Sequence, residues 1–439
     1  MAVVAGVDSS TQSTKVLVWD TVSQQILRQG SAPHPEGTSV NPERWWEAFI
    51  SAAKQAGGLA DVEAVSVGAQ QHGLVTLDQN GAVVRDALLW NDTRSAAAAK
   101  QLVAEKGLDF WVESCGCAPV ASLTITKLRW LVDYEPQSWS RVAAVCLPHD
   151  WLSWRIQGSA DIHSLFTDRS DASGTAYLDT HTGEYRYDLL AHALRIPEDK
   201  ARQLVLPKVV SPQELGGEVT RDIPEIELRA GTKIAPGCGD NAGAALGLGL
   251  RVGEAAISIG TSCVVSVVSD KPVIDKSGSV TGFMDATGNW LPLACTLNGT
   301  QVMDKTAALL GVDVSTFDQL ALQVPDTDGL QMIPYFQGER TPNLPNATAE
   351  IRGMTLGNYD PAHLARAAVE GLVGLIDYAL QAIQGCGVEV NKATLIGGGA
   401  KSPAVTQILP PKLGIGIEVA PPGEYVALGA AKQAGDLIR

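Results

Sequence analysis

Apolar and polar blocks alternate from the first residues. Val3 to Val7 is apolar, Asp8 to Lys15 is small and polar, and Val16-Leu17-Val18-Trp19 is apolar again. Short apolar runs on either side of a polar turn predict strand, turn and strand. Apolar residues at helical spacing predict a helix over 42–57, starting near Arg44-Trp45-Trp46. Ala64 to Gly68 reads as a strand that delivers the polar cluster Ala69-Gln70-Gln71-His72-Gly73. Leu88 to Arg94 reads as a second strand end, followed by an alanine-rich helix from Ser95, and 124–134 as a further helix carrying Lys127. Asp168 to Gly174 reads as a polar loop and Tyr177 to Tyr187 as a hairpin turning at Thr182-Gly183. Residues 195–236 hold scattered prolines and little periodicity, and are expected to connect.

The second half repeats the opening. Ala255 to Ile259, then Gly260-Thr261-Ser262, then Cys263 to Val268 is again strand, hydroxyl turn and strand. At an offset of 250, Ala5/Ala255, Thr11/Thr261, Val18/Val268 and Asp20/Asp270 coincide. Two such hairpins, each opening one half, suggest two similar lobes with a cleft between them; coincidence between ordinary hairpins is the alternative. Further on, Asp360 and Pro361 suit the cap and first position of a helix whose apolar face runs from Leu364 through Leu380, with Gly385 ending it. Ala393 to Ile396 then leads through Gly397-Gly398-Gly399 to Ser402-Pro403, a strand, glycine turn and helix start of the kind that holds nucleotides. Pro410-Pro411 is expected to cut that last helix. Alternating strands and helices mark an α/β protein.

Composition narrows the chemistry. A length of 439 residues admits two or three domains. A net charge of -15 argues against nucleic acid and anionic membranes as partners. The start shows no signal peptide and the chain no apolar run long enough to span a membrane. Seven scattered cysteines lack zinc-site spacing and suit a reducing cytoplasm. Among the loops, Pro236-Gly237-Cys238-Gly239-Asp240-Asn241 sets one carboxylate among glycines. It reads either as a capped turn or as a base held against a ligand. The Asp8 to Lys15 turn offers hydroxyls, amides and a cation to phosphate oxygens, although it is no Walker loop.

Seven motifs occur in the order of one family. Val7-Asp8-Ser9-Ser10-Thr11, Gln71-His72-Gly73, Trp90-Asn91-Asp92, Gly239-Asp240-Asn241, Ile259-Gly260-Thr261-Ser262, Gly338-Glu339-Arg340-Thr341-Pro342 and Gly397-Gly398-Gly399-Ala400 together resemble the FGGY carbohydrate kinases. The resemblance spans nearly the whole chain and is greatest to the branch acting on D-xylulose. It implies two ribonuclease H-like lobes, as in actin and hexokinase, with an interlobe cleft. The N-terminal lobe (1–248) would bind sugar and the C-terminal lobe (249–439) nucleotide. It implies an ATP-dependent transfer to the C5 hydroxyl of D-xylulose, or to another ketose, sugar acid or polyol. A non-catalytic, nucleotide-gated binder on the same fold is the alternative of another kind. Asp240 would be the base; Gln71, His72, Asp240 and Asn241 would touch sugar. Asp8 would hold Mg²⁺. Thr11, Gln12, Gly260 and Thr261 would wrap the phosphates, and Gly398, Gly399 and Ala400 would face adenosine. A homodimer is among the assemblies the resemblance admits. Ser10 and Gln71 depart from the residues common there, glycine and methionine.

Overall fold

Val3–Ser9 (β1) and Ser13–Asp20 (β2) pair antiparallel in the computed structural model, which describes residues 2–438. Gln25–Pro33 (β3) continues the sheet beyond β2. On the other side β1 pairs in parallel with Ala64–Ala69 (β4), reached through the helix Glu43–Gln55 (α1). Two short strands, Lys233–Ile234 (β5) and Cys238–Gly239 (β6), run parallel to β4 along its far edge, and Asp240–Leu248 (α2) follows at once.

Both faces of this sheet are covered, which explains why β1 is apolar without alternation from Val3 to Val7, ahead of Asp8 and Ser9. Val3, Ala5 and Val7 join a core with Trp45, Phe49 and Ala52 of α1. On the opposite face Val4, Leu17 and Trp19 pack against Ala427, Ala431 and Ala434 of the chain's final helix, Tyr425–Asp436. That helix lies so close that a Cβ on Gly6 would stand 1.9 Å from the Ala427 carbonyl oxygen. It also packs on α2, where a Cβ on Gly247 would stand 2.0 Å from the Tyr425 carbonyl oxygen. The first unit therefore comprises residues 1–249, 282–290 and 424–439, and the chain's last segment belongs to it.

The second unit comprises residues 250–281 and 291–423. Glu254–Ile259 (β7) and Cys263–Val267 (β8) form its antiparallel hairpin, and Trp290–Thr296 (β9) extends the sheet beyond β8. Pro361–Gly385 (α3) starts where expected, with the Asp360 carboxylate accepting from the Ala362 and His363 amides. It buries Ala368, Leu372, Leu375 and Leu380. Lys392–Ile396 (β10) pairs parallel to β7. Pro403–Leu413 (α4) follows, and Gly416–Val419 (β11) pairs parallel to β10. In each sheet, then, an antiparallel hairpin is extended beyond its second strand, by one strand in the first and by two in the second, where Val280–Met284 lies outside β9, and parallel strands flank its first strand.

The repeat is real in topology but not at a constant offset. In the first hairpin Ser9 pairs with Thr14, in the second Ile259 with Cys263. The second turn is one residue shorter, so only the first strands align at an offset of 250. Two further expectations need correction. The helix α4 runs on through Pro410 and Pro411, because both fall in its last turns and the Pro410 carbonyl accepts from the Gly414 amide, closing the end. The stretch 168–174 is not an open loop: Arg169–Ala172 is a buried helical turn capped by Asp168, whose carboxylate accepts from the Ser170 and Asp171 amides. All seven cysteines are free thiols. No helix among the described residues is long and apolar enough to cross a membrane.

Candidate active site

Three parallel strands of the first unit end side by side. In register, Asp8 of β1 and Cys238 of β6 both stand opposite Gly68 of β4, and Ser9 and Gly239 both stand opposite Ala69. Asp8, Gln70-Gln71-His72 and Asp240-Asn241 are thereby gathered at the carboxyl ends of adjacent strands, where open α/β sheets bind their ligands.

The turn that carries Asp240 is held at nearly every backbone group. Gly237 has φ +88, and a Cβ there would stand 2.4 Å from Cδ2 of His149. A Cβ on Gly239 would stand 2.5 Å from Nε2 of Gln71. These two glycines are thus required by conformation and close approach. The buried Gln433 of the final helix accepts from the Gly237 amide at 3.0 Å and donates to the Gly237 carbonyl at 2.8 Å. Its Oε1 also accepts from Ser66 Oγ at 2.6 Å. The Gly239 amide donates to Ser170 Oγ at 3.1 Å.

Asp240 is the first residue of α2, with Gly239 as the cap. The cap makes no side-chain hydrogen bond, so the expected Asx cap is absent: neither Asp240 nor Asn241 caps the helix with its side chain. Asp240 Oδ1 accepts from the Asn241 amide at 2.8 Å and from Asn241 Nδ2 at 3.0 Å, and Nδ2 also donates to Gln71 Oε1 at 3.0 Å. Burial, then the nearby Asp8 carboxylate, push the Asp240 carboxyl up to about 7, against the lowering effect of the Asn241 amide. Asp8 is itself buried, and burial lifts it to about 7 although Lys15 draws it down. Lys15 Nζ lies 3.8 Å from Asp8 Oδ2 and is shared with Glu424 at 2.5 Å. The other Asp8 oxygen, Oδ1, is buried without a hydrogen-bond partner. An oxygen in that state fits a hard cation that keeps its waters and needs one carboxylate. Among the described residues no cluster of three metal-ligating side chains exists, so any cation would depend on water and phosphate for its remaining ligands.

The other predicted residues of this unit lie around these groups. Gln71 is buried, and its Nε2 donates to the Ser170 carbonyl at 3.5 Å. His72 is half-buried with φ +69; its Nδ1 lies 2.8 Å from the Gly174 carbonyl, and its ring lies 5.4 Å from that of Phe283. Thr11 Oγ1 accepts from the indole of Trp90 at 2.8 Å, which joins two of the sequence motifs. Gln12 is exposed, and its carbonyl accepts from the His34 amide.

The second unit gathers its own predicted residues. Gly260 and Thr261 form the turn after β7, and Gly398, Gly399 and Ala400 follow β10, its parallel neighbour. Close packing demands two of the three glycines there: a Cβ on Gly397 would stand 2.7 Å from the Ile259 carbonyl oxygen, and one on Gly399 2.3 Å from Ile259 Cγ2. Gly398 is exposed with open space around its Cα. The Gly338 to Pro342 motif turns inward. Glu339 is buried and accepts from the Leu297 amide at 2.5 Å and from Asn298 Nδ2 at 2.9 Å.

Sequence reasoning passed over several residues that shape the first site: His149, Ser170, Asp171, Gln433 and Glu424. The cap pattern at Asp168 was a usable signal for the helical turn that bears Ser170 and Asp171. Gln433 sits in an alanine-rich helix far along the chain, and nothing local marks its role.

Comparison with known proteins agrees across the full length. Residues 3–247 match the N-terminal domain, and residues 255–435 the C-terminal domain, of the FGGY family of carbohydrate kinases. The chain is 42% identical to a xylulose kinase of Streptomyces rubiginosus, over 99% of this chain and 88% of that protein. It is 43% identical to the xylulose kinase of Streptomyces coelicolor, with the same coverage. The crystal structure of xylulose kinase from Bifidobacterium adolescentis superposes with a TM-score of 0.94 at 46% identity, covering 100% of this chain and 93% of that one.

Proposed function

Because the chain belongs to the FGGY family of carbohydrate kinases, we propose that it transfers the γ-phosphoryl group of ATP to the C5 hydroxyl of D-xylulose, giving D-xylulose 5-phosphate. The observation that carries the chemistry is Asp240, a carboxyl raised to about 7 at a helix start and fixed through Asn241 and Gln71. The choice of sugar rests on the named relatives.

Asp240 takes the proton of the C5 hydroxyl as that oxygen attacks. A sugar hydroxyl is a poor nucleophile until a placed base accepts its proton, a contribution of about 10²- to 10⁴-fold. A base near neutrality suits this task, since a substantial share is ionised near pH 7 while the group is still basic enough to accept the proton. Gln71, His72 and Asn241 offer amide and imidazole groups to the other hydroxyls. Phosphoryl transfer depends chiefly on alignment and charge neutralisation. Bound Mg²⁺ would supply part of that neutralisation, and Asp8, with its partnerless oxygen, is the residue suited to hold it.

We assign the sugar to residues 1–248 and the nucleotide to 249–439, except that the final helix serves the first unit. Thr11 and Gln12 would meet the phosphates from the first unit. Gly260 and Thr261 would meet them from the second, and Gly398, Gly399 and Ala400 would meet adenosine. The reaction needs no nucleic acid or membrane, in keeping with a net charge of -15, and we place it in the cytoplasm. A coupled assay of ADP release across a panel of ketoses, polyols and sugar acids tests the reading. D-xylulose should give the highest kcat/KM. Stimulation by no sugar refutes the kinase, and a better ketose or polyol refutes the assigned substrate.

A further inference from the structure

We infer that His149 is a positioning residue for this reaction, its Nε2–H holding the Pro236 carbonyl and with it the turn that carries Asp240, while Asp171 fixes the ring from behind. The inference rests on the reading of Asp240 as the base.

His149 is fully buried in the helix Pro148–Gln157. Its Nε2 lies 3.2 Å from the Pro236 carbonyl oxygen and its Nδ1 2.7 Å from Asp171 Oδ2. A carbonyl oxygen only accepts, so Nε2 carries a proton. The short contact at Nδ1 requires a second proton between the ring and a carboxylate. The pair therefore holds two protons over Nε2, Nδ1 and Oδ2, and its net charge is zero whichever partner owns the shared one.

The surroundings keep that proton in place. Asp150 Oδ1 lies 3.2 Å and Asp168 Oδ1 3.9 Å from Nε2, and both carboxylates are buried. The charges of this cluster also act on Cys146, Tyr177 and Cys238, and Arg169 interacts with Asp168. Burial alone would push the imidazole down. The charges of Asp150, Asp171 and Asp168 outweigh it and hold His149 at about 10.

The link to Asp240 is short. The ring stands against Gly237, where a Cβ would meet it at 2.4 Å. Asp171 shares its helical turn with Ser170, whose hydroxyl accepts from the Gly239 amide. One side of the turn is thus fixed by His149 at Pro236 and by Ser170 at Gly239, four and one residues before the base. A displacement of about 1 Å at a reacting group costs on the order of 100-fold in rate.

Two substitutions separate donation from packing. His149→Gln extends an amide N–H to about the reach of Nε2; His149→Asn has an amide too short to span the gap. The glutamine variant should keep kcat within about threefold of wild type and the asparagine variant lose at least about tenfold, with KM for ATP unchanged in both. Equal kcat in the two folded variants overturns the inference. Nitrogen-15 spectra of histidine-labelled wild-type protein provide a test that does not depend on either variant folding. Nε2 of His149 should stay protonated from about pH 6 to 9, and an unprotonated Nε2 overturns the inference. An Asp240→Asn variant that still turns over would instead remove the base assignment and leave these spectra unchanged.

Discussion

Replacing Asp240 with asparagine should remove turnover and at the same time make the protein more stable at alkaline pH. Asparagine keeps the size of the side chain and an oxygen that can accept from the Asn241 amide. It cannot take a proton from a hydroxyl, so kcat should fall by about 10²- to 10⁴-fold while sugar binding, measured by calorimetry, persists. The stability gain follows from the raised carboxyl. Asp240 goes from 3.8 to about 7 on folding. The folded protein therefore holds this proton more tightly than the unfolded chain. Its contribution to stability is complete below about pH 3.8 and is lost as pH rises through about 7. At about 1.4 kcal/mol per tenfold, the ionised group burdens the folded state by about 4 kcal/mol at pH 8. Part of that is repulsion shared with Asp8, so the variant should gain about 2 to 4 kcal/mol there. At pH 5 the gain should shrink to less than half, because the folded wild type is then protonated. Urea unfolding at both pH values, in EDTA and without nucleotide, reads the difference. A variant no more stable than wild type at pH 8, or equally favoured at pH 5, would refute the account of a strained, buried base.

The same ionisation should appear in catalysis: kcat/KM for the sugar should rise with pH up to about 7 and then level, since only the ionised carboxyl accepts the proton, and a limb near pH 4 would count against Asp240. Gly239→Ala places a Cβ 2.5 Å from Gln71 Nε2, so it should raise KM for the sugar while leaving KM for ATP alone; steady-state kinetics with an unchanged sugar KM would contradict the packing argument. Gly399→Ala drives a Cβ to 2.3 Å from Ile259 Cγ2 and should raise KM for ATP, whereas Gly398→Ala, with open space around it, should have a smaller effect; the reverse order would sink the assigned nucleotide contact. Asp8→Ala should flatten the response of kcat to Mg²⁺, and a titration identical to wild type would remove Asp8 from that role.

Much of this was legible along the chain because the signals are local. The opening hairpin, α1, β4, α3 and β10 follow from apolar runs, caps and glycines a few residues apart. The Gly237 to Asn241 turn was visible because its glycines satisfy close approaches by Gln71 and His149. What supports that turn was not visible. His149 reads as one polar residue among tryptophans, and only the fold brings Asp171 and Pro236 to its two nitrogens. Gln433 reaches Gly237 across 196 positions of sequence, a distance no periodicity spans. The residues at 168–174 were misread because their polarity suggested solvent, whereas Asp168, Ser170 and Asp171 satisfy one another and their neighbours inside the protein. Polar sequence predicts exposure only when the polar groups have no partners within the fold.

The place of the final helix has a consequence for how the protein is made. Its alanines cover one face of the first sheet, and its Gln433 fixes the turn before Asp240. A ribosome delivers residues 1–249 long before it delivers 424–439. At about 5–20 residues per second, the roughly 170 residues between them take about 10–35 s to emerge. Through that interval the first-made unit waits with one sheet face uncovered, while most of the second unit has already been released. The unit that is begun first is therefore completed only once residues 424–439 arrive, and the loop carrying Asp240 gains its hydrogen bonds to Gln433 only after most of the second unit has been made.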